Sequence, residues 1–348
     1  MTEAARPDGS RSVLEELVTV ERGRLDLRAG AIGLGILAVV LAGLGLIGAP
    51  AFAVAIGVVV VLVGPVPTSP SDWIRGLTVV GLGAALTVVA VSVGAEAVPS
   101  AAFAALVGAA STLAAGRGHG PAVRAFLMTI WLVLALTLAD SGTPGVVYAI
   151  ALAAGCGIGA LALALRTGRG DGADGAPGTT PEPVPTLAVL ARGPLGLMAA
   201  LRGLGVGIAV LLGYAWFPEH PAWAAFTALI IIRPPTRRAV VVGLKRSIGT
   251  GTGVVLAVLL ASLAGESTVV VAVLFLVTAF LMMALRDADY AVVSVLVTAL
   301  IVFGQRLVRT DAAEAGLDRF LATLVGVAIA FAVLATVEAA ARTRQPTT

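Results

Sequence analysis

The chain has 348 residues, of which 58% are hydrophobic and only 12% are charged, and its mean hydropathy is +1.01. An ordinary soluble domain is about 45 to 50% apolar and about 25% charged, so this composition excludes a soluble globular protein and predicts a membrane protein. The 23 Lys and Arg residues outnumber the 20 Asp and Glu residues by only three and form no concentrated basic face, so we expect no nucleic-acid partner.

Six charge-poor stretches precede residue 166. A helix needs roughly 20 apolar residues to cross a hydrocarbon core of about 30 Å, so we interpret each stretch as a span. The charged segment 1–27 is not followed by a small-residue cleavage site, which predicts no signal peptide and a cytoplasmic N-terminus. The predicted spans of the first half are 29–47, 51–63, 76–94, 98–115, 124–139 and 144–165.

A polar stretch separates these spans from a second set of six. Residues 167–193 begin with a run of Gly, Asp, Pro and Thr, which cannot bury enough apolar surface to fold and predicts a flexible cytoplasmic linker. The predicted spans of the second half are 201–217, 221–232, 243–264, 267–285, 290–305 and 319–340.

The two halves align without gaps at a constant offset of 170 residues, which pairs Arg75 with Lys245 and Pro65 with Pro235. Six spans in each half give both copies the same orientation. The sequence therefore predicts an all-α polytopic membrane protein with about twelve transmembrane helices in two parallel six-helix repeats. The predicted organisation is a cytoplasmic N-terminal segment 1–27, a first repeat 28–166, a linker 167–193, a second repeat 194–341 and a cytoplasmic tail 342–348.

Two of the predicted spans, 51–63 and 221–232, are short. At about 1.5 Å per residue each reaches only about 20 Å, less than the thickness of the hydrocarbon core. Short, proline-bounded segments at equivalent places in two repeats indicate a transport site, so we expect both to line the transport path as short spans.

The basic residues predict the orientation in the membrane, because cytoplasmic flanks are enriched in Lys and Arg. With the N-terminus inside, 20 of the 23 basic residues, Arg202 among them, fall in cytoplasmic segments. This bias predicts a multi-pass protein of the plasma membrane with both termini in the cytoplasm. The three exceptions lie in one mixed-charge loop on the outer side: Arg306, Arg309 and Arg319.

One stretch of the second half carries a recognisable pattern. A turn with prolines and a histidine precedes Trp223-Ala224, and the apolar run that follows ends at Arg233-Pro234-Pro235. The pair Lys245-Arg246 then leads into a Gly-Thr-rich helix. This pattern resembles the fusaric acid resistance and aromatic acid exporter family, whose plant relatives are the aluminium-activated malate channels. The resemblance covers roughly 195–340.

The resemblance implies an integral membrane transporter or channel for organic anions, often aromatic or other carboxylates. The residues give independent support, because Arg233, Lys245 and Arg246 are predicted where the short helix ends and the next begins. Backbone N–H groups and the positive end of the helix dipole add to an anion site there, and an arginine binds a carboxylate through two hydrogen bonds. We predict that these three residues and Arg75 bind the substrate. The alternative is that they are anchors that reach the lipid headgroups.

Proton coupling is predicted at a different place. His220 and Glu219 lie at a predicted outer turn, and histidine titrates near physiological pH, so this pair is a candidate for coupling export to proton entry. The alternative is an interfacial turn. No acidic residue lies at the middle of a predicted span, and Asp287 and Asp289 are interpreted as solvated charges in a cytoplasmic turn.

Small residues predict where helices pack closely. Gly249 and Gly253 are four residues apart, as are Gly155 and Gly159, and such pairs let transmembrane helices approach each other. The only cysteine, Cys156, lies beside the second pair and is expected to be a packing residue.

The sequence contains no catalytic pattern. The two histidines, His119 and His220, lie on opposite predicted sides of the membrane, and one cysteine forms no cluster. We therefore predict no enzyme, no metal site and no cofactor.

The predicted function is export of small organic or aromatic carboxylate anions from the cytoplasm. The predicted partners are the anion and the lipid bilayer, and the glycine-rich faces are compatible with a homo-oligomer. Two alternatives stay open from the sequence: a passive anion channel, and a structural or assembly membrane protein without transport activity.

Overall fold

All regular elements in the described part of the chain are helical. In the computed structural model these residues form ten α-helices and one short 3₁₀-helix. The predicted spans 29–47 and 51–63 lie outside the described residues, apart from three single positions, and nearly all of the predicted linker does so too. The structure describes residues 70–167, 193–232, 236–285, 288–308 and 311–342, together with residues 27, 35, 53, 54 and 189.

Backbone contacts divide the chain into two compact units. One comprises Ile36–Leu229 with Ala328–Thr348, and the other comprises Met1–Gly35 with Ile230–Val327. We call them the large unit and the small unit.

The large unit contains five complete helices in its described part. The 3₁₀-helix Leu136–Ser141 directly follows the third of them. The helices are α1 (Pro70–Val93), α2 (Ala97–Ala115), α3 (His119–Ala135), α4 (Gly145–Thr167) and α5 (Pro194–Trp216).

The small unit contains three complete helices: α7 (Thr236–Ala264), α8 (Thr268–Ala284) and α9 (Tyr290–Val308). Two further helices, α6 (Ala222–Ile231) and α10 (Ala312–Arg342), cross the boundary between the units along the chain.

Six of the described helices are long and apolar enough to cross a membrane: α1, α2, α5, α7, α9 and α10. The prediction of an all-helical, multi-pass chain is confirmed at this level, and ten of the twelve predicted spans coincide with described helices. Three helices begin seven residues earlier than predicted: α5 at Pro194, α7 at Thr236 and α10 at Ala312. Arg, Lys and Glu are good helix formers, so α7 and α10 extend through the charged residues that precede their apolar stretches.

The short helix α6 is enclosed by protein. It has ten residues, which gives a length of about 15 Å, half of the hydrocarbon core. Ala224, Ala225, Ala228 and Leu229 are all completely buried, and Phe226 is the one residue of the helix that is partly exposed. A helix that is apolar all round is stable in such a place.

Glycines bring two pairs of helices into backbone contact. A Cβ added at Gly249 would lie 2.5 Å from the carbonyl oxygen of Ala291, and one at Gly253 would lie 2.7 Å from that of Val295, so α7 packs directly on α9. In the large unit, a Cβ added at Gly203 of α5 would lie 2.6 Å from the carbonyl oxygen of Ala105 on α2.

The second predicted glycine pair lies on α4. A Cβ added at Gly155 would meet the backbone of Val54, and Gly159 is buried one turn later. Cys156, between them, is a buried free thiol.

Candidate functional site

Lys245 and Arg246 lie inside α7 rather than at its start. They follow Thr236 by nine and ten residues, and both side chains are buried. Their own backbone N–H groups belong to the helix interior, so the expected contribution of a helix terminus does not apply at these two residues. Any anion that binds here meets the side chains alone.

Lys245 forms a buried ion pair with Asp289. Its Nζ lies 2.5 Å from Asp289 Oδ2, and Asp289 is only 5% exposed. The other carboxylate oxygen, Oδ1, accepts the N–H of Ala291 at 2.8 Å and so caps the start of α9. The interpretation of Asp289 as a solvated loop charge is therefore wrong. The residue is a helix cap that faces a lysine within the membrane-spanning stretch of α7.

Arg246 and Arg319 come close to each other beside Tyr290. Arg246 Nη1 donates to the Tyr290 hydroxyl at 2.9 Å. Arg319 is 1% exposed and interacts electrostatically with both Arg246 and Tyr290. The prediction that Arg319 lies in an outer loop is wrong, because α10 begins at Ala312 and carries Arg319 in its second turn.

A sequence signal for this helix start was present. Asp311 is followed three residues later by Glu314, which is the spacing of a capping box, and Asp311 Oδ1 accepts the N–H of Ala313 at 2.7 Å. This spacing predicts a helix that begins at Ala312 and therefore contains Arg319.

Ser294 adds a buried hydroxyl one turn after Tyr290 on α9. It is 3% exposed, and its Oγ has no hydrogen-bond partner among the described residues. A Cβ added at Gly249 would lie 2.7 Å from Ser294 Cβ, so the residue faces α7. A buried hydroxyl without a partner costs about 1–3 kcal/mol, which a bound polar ligand would offset.

Together these residues form what we call the cationic cluster: Lys245, Arg246 and Arg319, with Asp289, Tyr290 and Ser294. In the described part of the small unit it holds three cationic side chains and one carboxylate. Buried charges are costly unless they are compensated, and ionisable residues inside a membrane mark functional sites. The arrangement favours an anionic ligand.

The large unit buries a different arginine. Arg202 on α5 is 7% exposed, and its Nη2 donates to the carbonyl oxygen of Leu229 at 2.7 Å, while its Nη1 donates to Thr112 Oγ1 at 3.2 Å. The carbonyl group of Leu229 is one of the last four of α6, and these groups have no hydrogen-bond partner within the helix. α5 begins at Pro194, eight residues before Arg202, so Arg202 lies inside the helix rather than in its flank.

The other predicted site residues are placed only in part. Arg233 lies outside the described residues, and Arg75 belongs to α1 but its side chain lies outside the described part. Glu219 is exposed in the turn between α5 and α6. The His220 ring stacks on Trp223 with centroids 3.8 Å apart.

The described residues include no group of three His, Cys, Asp or Glu side chains arranged to hold a metal ion. A cavity of about 320 Å³ lies at the C-terminal end of α7, and Glu266, Arg306 and Asp311 are among the residues that line it. Its charged groups are of both signs, so it has no preference for anions.

Residues 205–333 match the family model described as fusaric acid resistance protein-like. This segment of the chain is therefore similar to that family. The resemblance seen in the sequence is thereby confirmed over residues that include α6 and the whole cationic cluster. No curated protein and no solved structure matches the chain significantly. Together with the six apolar helices, the family match indicates a multi-pass membrane protein of a transporter type.

Proposed function

We propose that this protein exports small organic anions, aromatic carboxylates in particular, through a site at the cationic cluster. The observation that carries the proposal is that three buried cations, Lys245, Arg246 and Arg319, lie in one cluster whose described residues hold a single carboxylate. A guanidinium binds a carboxylate through two parallel hydrogen bonds, and in a dry site these bonds are strong. Tyr290 and Ser294 offer neutral hydroxyl groups beside the cations.

The membrane potential supplies a direction. Moving one elementary charge across 100 mV is worth about 2.3 kcal/mol, and a cytoplasm that is negative inside expels a monovalent anion. Export of such an anion therefore needs no second substrate, which also keeps the passive channel as the nearest alternative.

The chain organisation proposed from the sequence has support in the helix positions. α2 begins at Ala97 and α8 at Thr268, which are 171 residues apart, and α3 and α9 begin at His119 and Tyr290, again 171 apart. These spacings agree with the offset of 170 between the repeats. We propose twelve helices in two parallel repeats, joined by a cytoplasmic linker at 167–193, with both termini in the cytoplasm and the protein in the plasma membrane.

The remaining residues keep the roles predicted from the sequence as parts of this proposal. Arg233 and Arg75 contribute to anion binding, and Glu219 with His220 is the predicted proton-coupling pair. The glycine-rich faces leave a homo-oligomer open.

The test is efflux of radiolabelled benzoate from proteoliposomes that contain the purified full chain. Arg246→Gln removes a buried cation of the cluster, and we expect at least about a tenfold loss of efflux, since a hydrogen bond to a charged group is worth about 1.5–3 kcal/mol. Arg238→Gln is the matched control, because Arg238 is an exposed arginine on the same helix.

Three results separate the candidate functions. Saturable efflux that only Arg246→Gln impairs supports the transporter. Efflux that rises linearly with concentration and follows the imposed potential supports the channel. No flux from folded protein, or equal losses in both variants, contradicts anion transport through this cluster and favours the structural or assembly function.

A further inference from the structure

We propose that Asp289 is a resident anion of the proposed binding site: it occupies Lys245 while the site is empty, and a substrate carboxylate has to displace it. This inference rests on the proposed function. It makes Asp289 a residue that sets affinity and selectivity by competition.

The two carboxylate oxygens of Asp289 have different partners. Oδ1 accepts the N–H of Ala291 and caps α9, while Oδ2 faces Lys245 Nζ at 2.5 Å. Capping needs only an acceptor oxygen and works equally well with asparagine. The negative charge is therefore not required for the helix start, and its only polar partner among the described side chains is Lys245.

The groups around Asp289 explain why it competes with a ligand rather than assisting one. Lys245 faces it from α7. Tyr290, the next residue on α9, accepts a hydrogen bond from Arg246 and interacts with Arg319 of α10, whereas α8 carries no titratable residue. Among these groups Asp289 is the one carboxylate. A second carboxylate brought to Lys245 meets like-charge repulsion from the first.

Competition of this kind lowers the affinity of the site for an anion that contacts Lys245 alone. An incoming anion replaces an ion pair that already exists, so it must gain further contacts, for example with Arg246, Arg319 or Tyr290. Specificity obtained by opposing the wrong ligand is a general device of binding sites. The pair also keeps Lys245 compensated in the empty state, which lowers the cost of its burial.

The experiment measures equilibrium binding of radiolabelled benzoate to the purified full chain at neutral pH. Asp289→Asn keeps the helix cap and removes the competing charge. Asp311→Asn is a closely matched control, because Asp311 caps α10 in the same way, with Oδ1 2.7 Å from the N–H of Ala313, but is exposed. Should Asp289→Asn fail to fold, Asp289→Ser repeats the test with another uncharged cap.

We expect Asp289→Asn to bind benzoate at least about tenfold more tightly than the wild type, since an opposing charge is lost, and Asp311→Asn to stay within about twofold. A gain of affinity is a result that mere damage to the structure does not produce. Unchanged or weaker binding by Asp289→Asn, while the wild type binds benzoate, overturns the competition but leaves the proposed function standing. If the folded wild type binds no anion, the proposed function falls, and this role of Asp289 falls with it.

Discussion

Two regions of this protein bury arginines, and they do so in opposite ways. In the large unit, the Arg202 guanidinium donates to the carbonyl oxygen of Leu229 and to the hydroxyl of Thr112, so its positive charge meets neutral acceptors that need a donor. In the small unit, Arg246 and Arg319 lie close enough to interact with each other electrostatically, and Lys245 lies next to them along α7.

We propose that the difference separates a structural arginine from ligand-binding ones. Arg202 satisfies the carboxyl end of a buried helix, and a cation at that end of a helix is favourable. Like charges that share a buried site oppose folding, so the cationic cluster is expected to persist because of what it binds. Burial alone does not distinguish the two, whereas the chemistry of the neighbours does.

The largest effect is expected for Arg319→Met. The substitution removes a like charge from the cationic cluster and keeps an apolar chain of similar length, so benzoate efflux should fall at least about tenfold while thermal stability stays equal or rises. Efflux from proteoliposomes and a thermal melt in detergent measure both quantities. A variant that is less stable yet transports normally would contradict the functional interpretation.

The opposite result is expected for Arg202→Met. Here the carbonyl group of Leu229 loses its donor in a buried place, which costs about 1–3 kcal/mol, so the melting temperature should fall. The KM for efflux by the folded fraction should stay within about twofold of the wild-type value, because Arg202 is not part of the cationic cluster. A changed KM with an unchanged melting temperature would place Arg202 in the transport machinery instead.

Substitution of one glycine in each unit tests the same difference between the two units. Gly203→Ala and Gly249→Ala would bring a Cβ to 2.6 Å and 2.5 Å from a facing carbonyl oxygen, so both should cost about 1–3 kcal/mol of stability through overpacking. Only Gly249→Ala displaces α9 beside the cationic cluster, so only this variant should also change the KM. Gly81→Ala is the control, because a Cβ there meets nothing within 4 Å. Equal kinetic effects of the two clashing variants would remove the distinction between the units.

The smallest effect is expected for Ser294→Ala and its counterpart Thr112→Val. Loss of the Ser294 hydroxyl should weaken benzoate binding by about threefold without lowering stability, because that group has no protein partner among the described residues. Loss of the Thr112 acceptor should lower stability by about 1 kcal/mol and leave binding unchanged. Binding assays and thermal melts of both variants check this, and the reverse pattern would contradict it.

The sequence predicted the helices well and the buried charges poorly, for one physical reason. Absence of charge marks a span reliably, so α2, α8 and α9 start within one residue of the predicted positions. The same criterion does not tell whether a charged side chain meets water or protein. Lys245 and Arg246 were singled out because they stand beside a recognisable motif.

Asp289, Arg202 and Arg319 were missed because their surroundings come from other helices. Whether a charged side chain meets water, a backbone carbonyl group or another charge depends on tertiary packing, which a charge count does not contain. Local signals would have helped at two of these positions: Asp289 precedes a helix as a cap, and the Asp311 capping box starts the helix that carries Arg319.

The glycine contacts between α7 and α9 also have a consequence for motion. Helices whose backbones touch through Gly249 and Gly253 have no flexible side chains between them to absorb sliding, so they are expected to move as one rigid body. Lys245 and Asp289 would then travel together when the protein changes its conformation. In the proposed transporter, the ion pair would then stay with the binding site while access switches from one side of the membrane to the other, so the site would keep its selectivity.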